Sequence, residues 1–413
     1  MMLNSKKVRM RQVLVLSLSL LLISGCGVNW KVNIQILRLQ SKNTSLRRHA
    51  AGVLAGIGPE AKAAVPALIQ ALKNADSEVF GSVAMALGEI GPEARASVPI
   101  LIQALKDRDD WSIRQSAAAA LGGIGPEARA AVPALIQALK NGDGHLVPES
   151  AAKALGQIGS EAKEAMPALI QALRGGNSQI SKTFYPTVHR NAADSLVQIG
   201  SQAKEVVPDL IQALNDPDES VRYYVAEVLG RIEPKDKSAV PALIQSLNDP
   251  DASVRRNAAR SLGQIGSDDQ TVVSSLTQAL NDPDDNVRRY AAVSLGQIGS
   301  ETKGLVHSLI QALNDPDDNV RRNSVEVLGL IGSEAKEVVS GLIQALNDPN
   351  KSVRRKAAMA LGRIGPEARA AIPTLTQALN DPDRAVRRNA AWALKKINIE
   401  TEVIEEGDDE FDS

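Results

Sequence analysis

The sequence predicts an all-α fold, a right-handed α-solenoid of about eleven stacked two-helix repeats, and three observations carry that reading. The motif Leu-Ile-Gln-Ala-Leu and its variants end on Leu72, Leu105, Leu139, Leu173, Leu214, Leu247, Leu280, Leu313, Leu346 and Leu379. The steps between these leucines are 33, 34, 34 and 41 residues and then 33 five times. A fixed period in this range marks stacked supersecondary units rather than a closed globule. Within each period, apolar residues follow helical spacing twice, with a turn between. Finally, only ten of 413 residues are Phe, Trp or Tyr. A core of Ala, Leu, Ile and Val suits thin helix layers that approach closely.

Residues 240–266 show one unit most clearly. Val240, Leu243, Ile244 and Leu247 fall at i, i+3, i+4 and i+7, one face of a helix. Asn248-Asp249-Pro250-Asp251 then reads as a turn. Ser253 suits the N-cap of a second helix whose core face is Val254, Ala258, Leu262 and Ile265. Gly266 supplies the left-handed residue that ends it, and glycine recurs there at Gly58, Gly91, Gly125, Gly159, Gly200, Gly299, Gly332 and Gly365. Each unit is expected to be two antiparallel helices of about three turns. Neither hides its apolar face alone, so neighbours must stack.

The full unit is Val-Pro-x-Leu-Ile-Gln-Ala-Leu, then Asn-Asp-Pro-Asp, then Val-Arg-Arg-x-Ala-Ala-x-x-Leu-Gly-x-Ile-Gly. The ankyrin signature Thr-Pro-Leu-His and the tetratricopeptide Trp-x2-Leu-Gly-x2-Tyr are both absent. The pattern resembles the HEAT repeat, in particular the short form of phycobilin-lyase-like proteins, over residues 31–398. Pro66, Pro99, Pro133, Pro167, Pro208, Pro241 and Pro373 match the family's first-helix proline, while Ser274, His307 and Ser340 replace it. The resemblance further implies that Asp and Arg form a hydrogen-bonded ladder between neighbouring units. The matching aspartates include Asp249, Asp282 and Asp315, each six residues before Arg255, Arg288 and Arg321. Phe80, Arg114, Pro148 and His189 interrupt this column, so the N-terminal half is expected to be less regular.

Residues 1–25 stand outside the stack. Lys6, Lys7, Arg9 and Arg11 precede an eleven-residue apolar run from Val13 to Ile23. That length suits a signal-peptide core and falls short of the roughly 20 residues that span a bilayer. Ile23-Ser24-Gly25-Cys26 then resembles a bacterial lipobox, which implies cleavage before Cys26 and lipidation of its thiol. The alternative is an uncleaved anchor or a chance cysteine. Cys26 is the single cysteine, so a disulfide framework is excluded. Residues 26–30 read as a lipidated tether, and several acyl chains hold a protein on a membrane where one does not. The expected location is an exported lipoprotein on a bacterial membrane, inner or outer.

The chain carries 47 basic and 48 acidic residues; loss of the four basic residues of the signal leaves 43 against 48, or −5. Residues 399–413 hold eight acids and no base, so the stack itself is 43 against 40, or +3. A body this close to neutral argues against nucleic acid as a partner. The acidic tail reads as a solvated end, or as an arm that docks on a basic surface of its own stack or of a partner.

A second arginine column runs one step round the helix from the ladder: Arg256, Arg289, Arg322, Arg355 and Arg388. Tyr224, Tyr290 and Trp392 lie beside it. The resemblance places the second helices on the concave face, so the column becomes a basic groove with scattered aromatics, the composition that interfaces favour. The alternative is a solvated face whose arginines pair with the aspartate-rich turns. The 41-residue step adds an insertion at residues 174–187 with Phe184 and Tyr185, either tolerated loop drift or a second contact loop.

No catalytic constellation, cofactor motif or metal site is legible. His49, His145, His189 and His307 are never followed by Glu, which excludes the iron-binding His-Glu pairs of the related deoxyhypusine hydroxylases. The Asn-Asp-Pro-Asp-Asp-Asn turns lack the glycine and terminal glutamate of a calcium loop. Ser-His-Asp and phosphate-loop patterns are missing as well. The expectation is a membrane-tethered scaffold that binds a protein partner. The alternative is a phycobilin-lyase-like or chaperone-like protein acting on a client polypeptide.

Overall fold

The computed structural model describes residues 29–398 apart from 74, 108, 142–145, 176–184, 201–204, 234, 267–268, 299–302 and 333–335. These residues form eleven helix pairs and contain no strand. They fall into two compact units, 1–206 and 207–413, each a stack of repeats. Within each unit, the second helix of one repeat packs along the second helix of the next. Cys26, Phe184 and the tail 399–413 lie outside the described residues, as does the side chain of Tyr185. The first helix, Asn29–Leu39, begins inside the stretch expected to be tether.

The turn chemistry differs from expectation at its cap. The N-cap of helix Ala252–Ile265 is Asp251, whose carboxylate accepts from the amides of Ser253 and Val254 at 2.8 and 3.2 Å. Ser253 is a helical residue. Asp76, Asp110, Asp218, Asp317, Asn350 and Asp383 cap their helices in the same way. Asp and Ser are comparable cap types, and the extended backbone of Asp251, at φ −84° and ψ 124°, puts it rather than Ser253 at the cap.

The family proline starts the first helix rather than kinking it. Pro241 is the second residue of the seven-residue helix Val240–Ser246, and Pro373 of Ile372–Ala378. Proline lacks the N–H and clashes with a preceding turn, so an α-helix cannot extend back through it. Where Ser274, His307 and Ser340 replace it, the helices Gln270–Ala279, Lys303–Ala312 and Lys336–Ala345 begin three residues earlier and run for ten. In the N-terminal unit a seven-residue 3₁₀ segment fills this space in four successive repeats, from Gly58–Ala64 to Gly159–Ala165. Among the described residues the N-terminal helix pairs keep a repeated form, and the expected irregularity lies in the interrupted ladder.

Glycine ends most second helices with positive φ, and Gly266 is left-handed α, at φ 67° and ψ 36°. Gly58, Gly91 and Gly125 pair φ of 67–74° with ψ near −140°, a region open essentially to glycine alone. Gly200 is not among the positive-φ glycines, and Asn398 ends its helix at φ −93°. Thr44–Lys73 is long and apolar enough to cross a membrane by length and composition alone. In the structure it is broken at Gly58, and Ala50, Ala51, Leu54, Leu68 and Leu72 are core residues of the stack.

Candidate functional site

Two columns of arginine in the C-terminal unit have opposite fates. Arg222, Arg255, Arg288, Arg321 and Arg354 each lie at the start of a second helix, turned toward the next repeat. Their Nε atoms donate to Oδ2 of Asp249, Asp282, Asp315, Asp348 and Asp381 at 2.6–2.8 Å. Their Nη2 atoms donate to Oδ1 of the same carboxylates at 2.9–3.1 Å. Each Nη1 turns back to its own repeat; that of Arg255 meets the carbonyls of Asp249 at 2.9 Å and Pro250 at 3.1 Å. The aspartate six residues before each arginine therefore gives it a backbone oxygen, and the aspartate 27 residues after gives it the carboxylate.

These pairs are sheltered, with the arginines 12–13% and the aspartates 6–9% exposed. The two parallel charge-assisted bonds raise each guanidinium above its ordinary pKa, and Arg354 in turn holds the Asp381 carboxyl below the usual carboxylate range. The ladder is structural and leaves nothing free for a ligand. In the N-terminal unit, Phe80, Pro148 and His189 occupy the corresponding places and are buried.

The second column faces outward. Arg256, Arg289 and Arg322 are half-buried, and Arg355 and Arg388 are exposed. Among the described residues, no ion pair involves any of the five. Two of them lie over tyrosine rings: Arg256 is 5.6 Å from the centroid of Tyr223, and Arg289 is 4.8 Å from that of Tyr290. Such stacking holds a guanidinium in place while leaving its N–H edge open. Trp392 is 41% exposed beside the last repeat's column residue. Arg48 holds the same register place in the first repeat and differs, because Glu78 of the next repeat pairs with it at 2.6 Å.

One expected contact residue is misplaced. Tyr224 is only 8% exposed and packs edge-on against Tyr223 at 4.9 Å, so it belongs to the core. The flank of the helix that carries Tyr224 and Asn257 turns toward the neighbouring repeat. Asn257 is 3% exposed and its Nδ2 donates to the Tyr223 carbonyl at 3.1 Å, a clamp between repeats. Tyr223 replaces Tyr224 in the candidate surface.

Sequence reading also missed a groove of about 780 Å³ in the N-terminal unit. Its lining includes Gly81, Gln115 and Glu149, which hold the register place of the second arginine column, together with Met85 and Lys153. The same helix face is therefore hollow and of mixed charge in one unit, and arginine-filled in the other. The available signal was the substitution of Gly, Gln and Glu for Arg at one repeat position. Among the described residues, no cluster of three or more His, Cys, Asp or Glu is placed to hold a metal.

The architecture defines the class: a stack of two-helix repeats tied together through its second helices. The HEAT-repeat profile matches six overlapping stretches, 31–122, 98–184, 178–249, 207–276, 273–340 and 339–406, and the chain belongs to the HEAT-repeat family. Solved structures with this fold include the Kap95:Nup1 complex, with a TM-score of 0.64 at 16% identity over 93% of this chain and 59% of that one. Kap121p bound to Pho4p gives 0.63 at 15% identity over 94% and 48%. An engineered protein covers 89% of this chain and 99% of its own at 24% identity, with a TM-score of 0.42. The chain spans about half the length of the Kap proteins. No curated protein sequence matches it.

Proposed function

We propose that this chain is a membrane-tethered HEAT scaffold that captures a protein partner through an acidic segment laid along Arg256, Arg289, Arg322, Arg355 and Arg388. The observation that carries this reading is five arginines at one register place in consecutive repeats, none of them in an ion pair among the described residues. A fold that needed these charges for itself would pair them, as it pairs the ladder next to them. Tyr223 and Tyr290 add apolar area at low entropic cost, and Trp392 extends the strip to the last repeat. The solved complexes of Kap95 with Nup1 and of Kap121p with Pho4p pair the same fold with protein ligands. The tether is lipid on Cys26, placed on an exported chain by the lipobox-like segment Ile23–Cys26.

The test is the triple variant R289E/R322E/R355E. Capture of the partner from native membranes by chemical crosslinking is expected to disappear, with the helical circular dichroism unchanged. Undiminished capture by a folded triple variant contradicts the reading.

A further inference from the structure

The chain carries a segment whose charge complements the arginine column. Residues 399–413 contain Glu400, Glu402, Glu405, Glu406, Asp408, Asp409, Glu410 and Asp412, no basic residue and a single aromatic, Phe411. Two sets of acids recur every third residue: Glu402, Glu405 and Asp408, and then Glu406, Asp409 and Asp412. Three extended residues span about 10 Å. Packed helix layers repeat every ~8–10 Å. Successive side chains of an extended segment point to opposite faces, so each acidic pair offers one carboxylate to the column at about the spacing of the repeats.

The geometry points to residues 402–412 folding back along the column of their own unit, and we propose that this intramolecular contact occupies the partner surface. Glu405 and Glu406 fall at Arg355, Asp408 and Asp409 at Arg322, and Phe411 with Asp412 at the stacked pair Arg289–Tyr290. The reach is sufficient. Asn398, where the last helix ends, is about 15 Å along that helix from Arg388, and Arg289 is three repeats, ~30 Å, further back. The direct path is roughly 35 Å, and the thirteen residues from Asn398 to Phe411 extend to about 43 Å. A tail held this close acts at millimolar effective concentration, so a partner's acidic segment must displace it.

This inference rests on the reading of the column as the partner surface, and the two fail separately. A photo-crosslinking amino acid is placed at position 411 of the full chain at physiological salt. Intramolecular crosslinks are expected in the peptides that contain Arg289, Tyr290 and Arg322, and R289E/R322E/R355E should remove them. Crosslinks scattered over both units, or unchanged in the triple variant, overturn the inference. In parallel, the full-length variant E402Q/E405Q/D408N should capture partner about tenfold more tightly than wild type, because the competitor is weakened. Unchanged capture overturns the tail contact and leaves the partner surface standing. Capture that persists in R289E/R322E/R355E overturns the surface itself.

Discussion

Arg288 grips Asp315 of the following repeat with Nε and Nη2 at 2.6 and 2.9 Å, while its Nη1 holds the carbonyl of Asp282 in its own turn at 2.8 Å. One side chain thus ties two repeats and closes a turn. Asp315 completes the link by accepting from the amide of Asp317 at 2.9 Å, and Asp317 caps the next second helix. Removal of the guanidinium strands a sheltered carboxylate. The variant Arg288→Ala is expected to lose about 3 kcal/mol of stability in urea unfolding. Arg288→Lys should recover less than half of that, since an ammonium cannot donate along two parallel directions and backward at once. A loss below ~1 kcal/mol for the alanine variant contradicts the structural role.

Acid should loosen the C-terminal unit through the same ladder. Arg354 lowers the folded-state pKa of the Asp381 carboxyl. The unfolded chain therefore binds the proton more tightly, and the stabilisation is fully present above the unfolded value of about 4. It is lost as pH falls through that value toward the folded one. In chemical denaturation between pH 7 and pH 3, wild type should lose more stability than Asp381→Asn, whose midpoint has no carboxylate to titrate at this site. Parallel curves for the two proteins would refute the assignment.

The glycine of the Leu-Gly motif sets how closely second helices approach. A Cβ built on Gly263 would meet Cβ of Ser294 at 2.6 Å and Oε1 of Gln297 at 2.7 Å. Gly263→Ala is expected to cost about 2 kcal/mol by overpacking. Gly52, mid-helix and exposed, has nothing within 4 Å of the same position. Gly52→Ala should stabilise by up to ~1 kcal/mol through helix propensity. Thermal denaturation of both variants in parallel checks the opposite signs.

The proposed lipid tether predicts its own chemistry. Cells fed a radiolabelled fatty acid should incorporate it into wild type and not into Cys26→Ala, and the variant should leave the membrane fraction. Label retained in Cys26→Ala would exclude Cys26 as the acceptor.

The repeat register was legible because each helix has one apolar stripe and the period copies it eleven times. What eluded sequence reasoning lies at the edges of that stripe. A second helix in a stack has two walls, its own first helix and the second helices on either side. Periodicity finds the stripe without saying which flank meets a neighbour, so Tyr224 read as a surface residue although it is buried against Tyr223. Ser253 and Asp251 are both good cap types, and only backbone geometry separates them. The resemblance implied a ladder between neighbouring units, and the structure adds which atoms make it: the carboxylate comes from the aspartate one repeat on, while the aspartate six residues back gives only its carbonyl. The hollow in the N-terminal unit is lined in part by small residues such as Gly81, Gly88 and Gly123, and its signal was a change of residue type at one register place rather than a motif.

In the proposed function one face of the C-terminal unit, and not the stack at large, meets the partner. Photo-crosslinkers at positions 359 and 311 test it most directly. Met359 lies one helical turn beyond Arg355, and Gln311 is exposed on the first helix of its repeat. Discrete protein adducts are expected from position 359 and none from position 311, and R289E/R322E/R355E should remove those from position 359. Equal adducts from both positions, or adducts from 359 that survive the charge reversal, would contradict it.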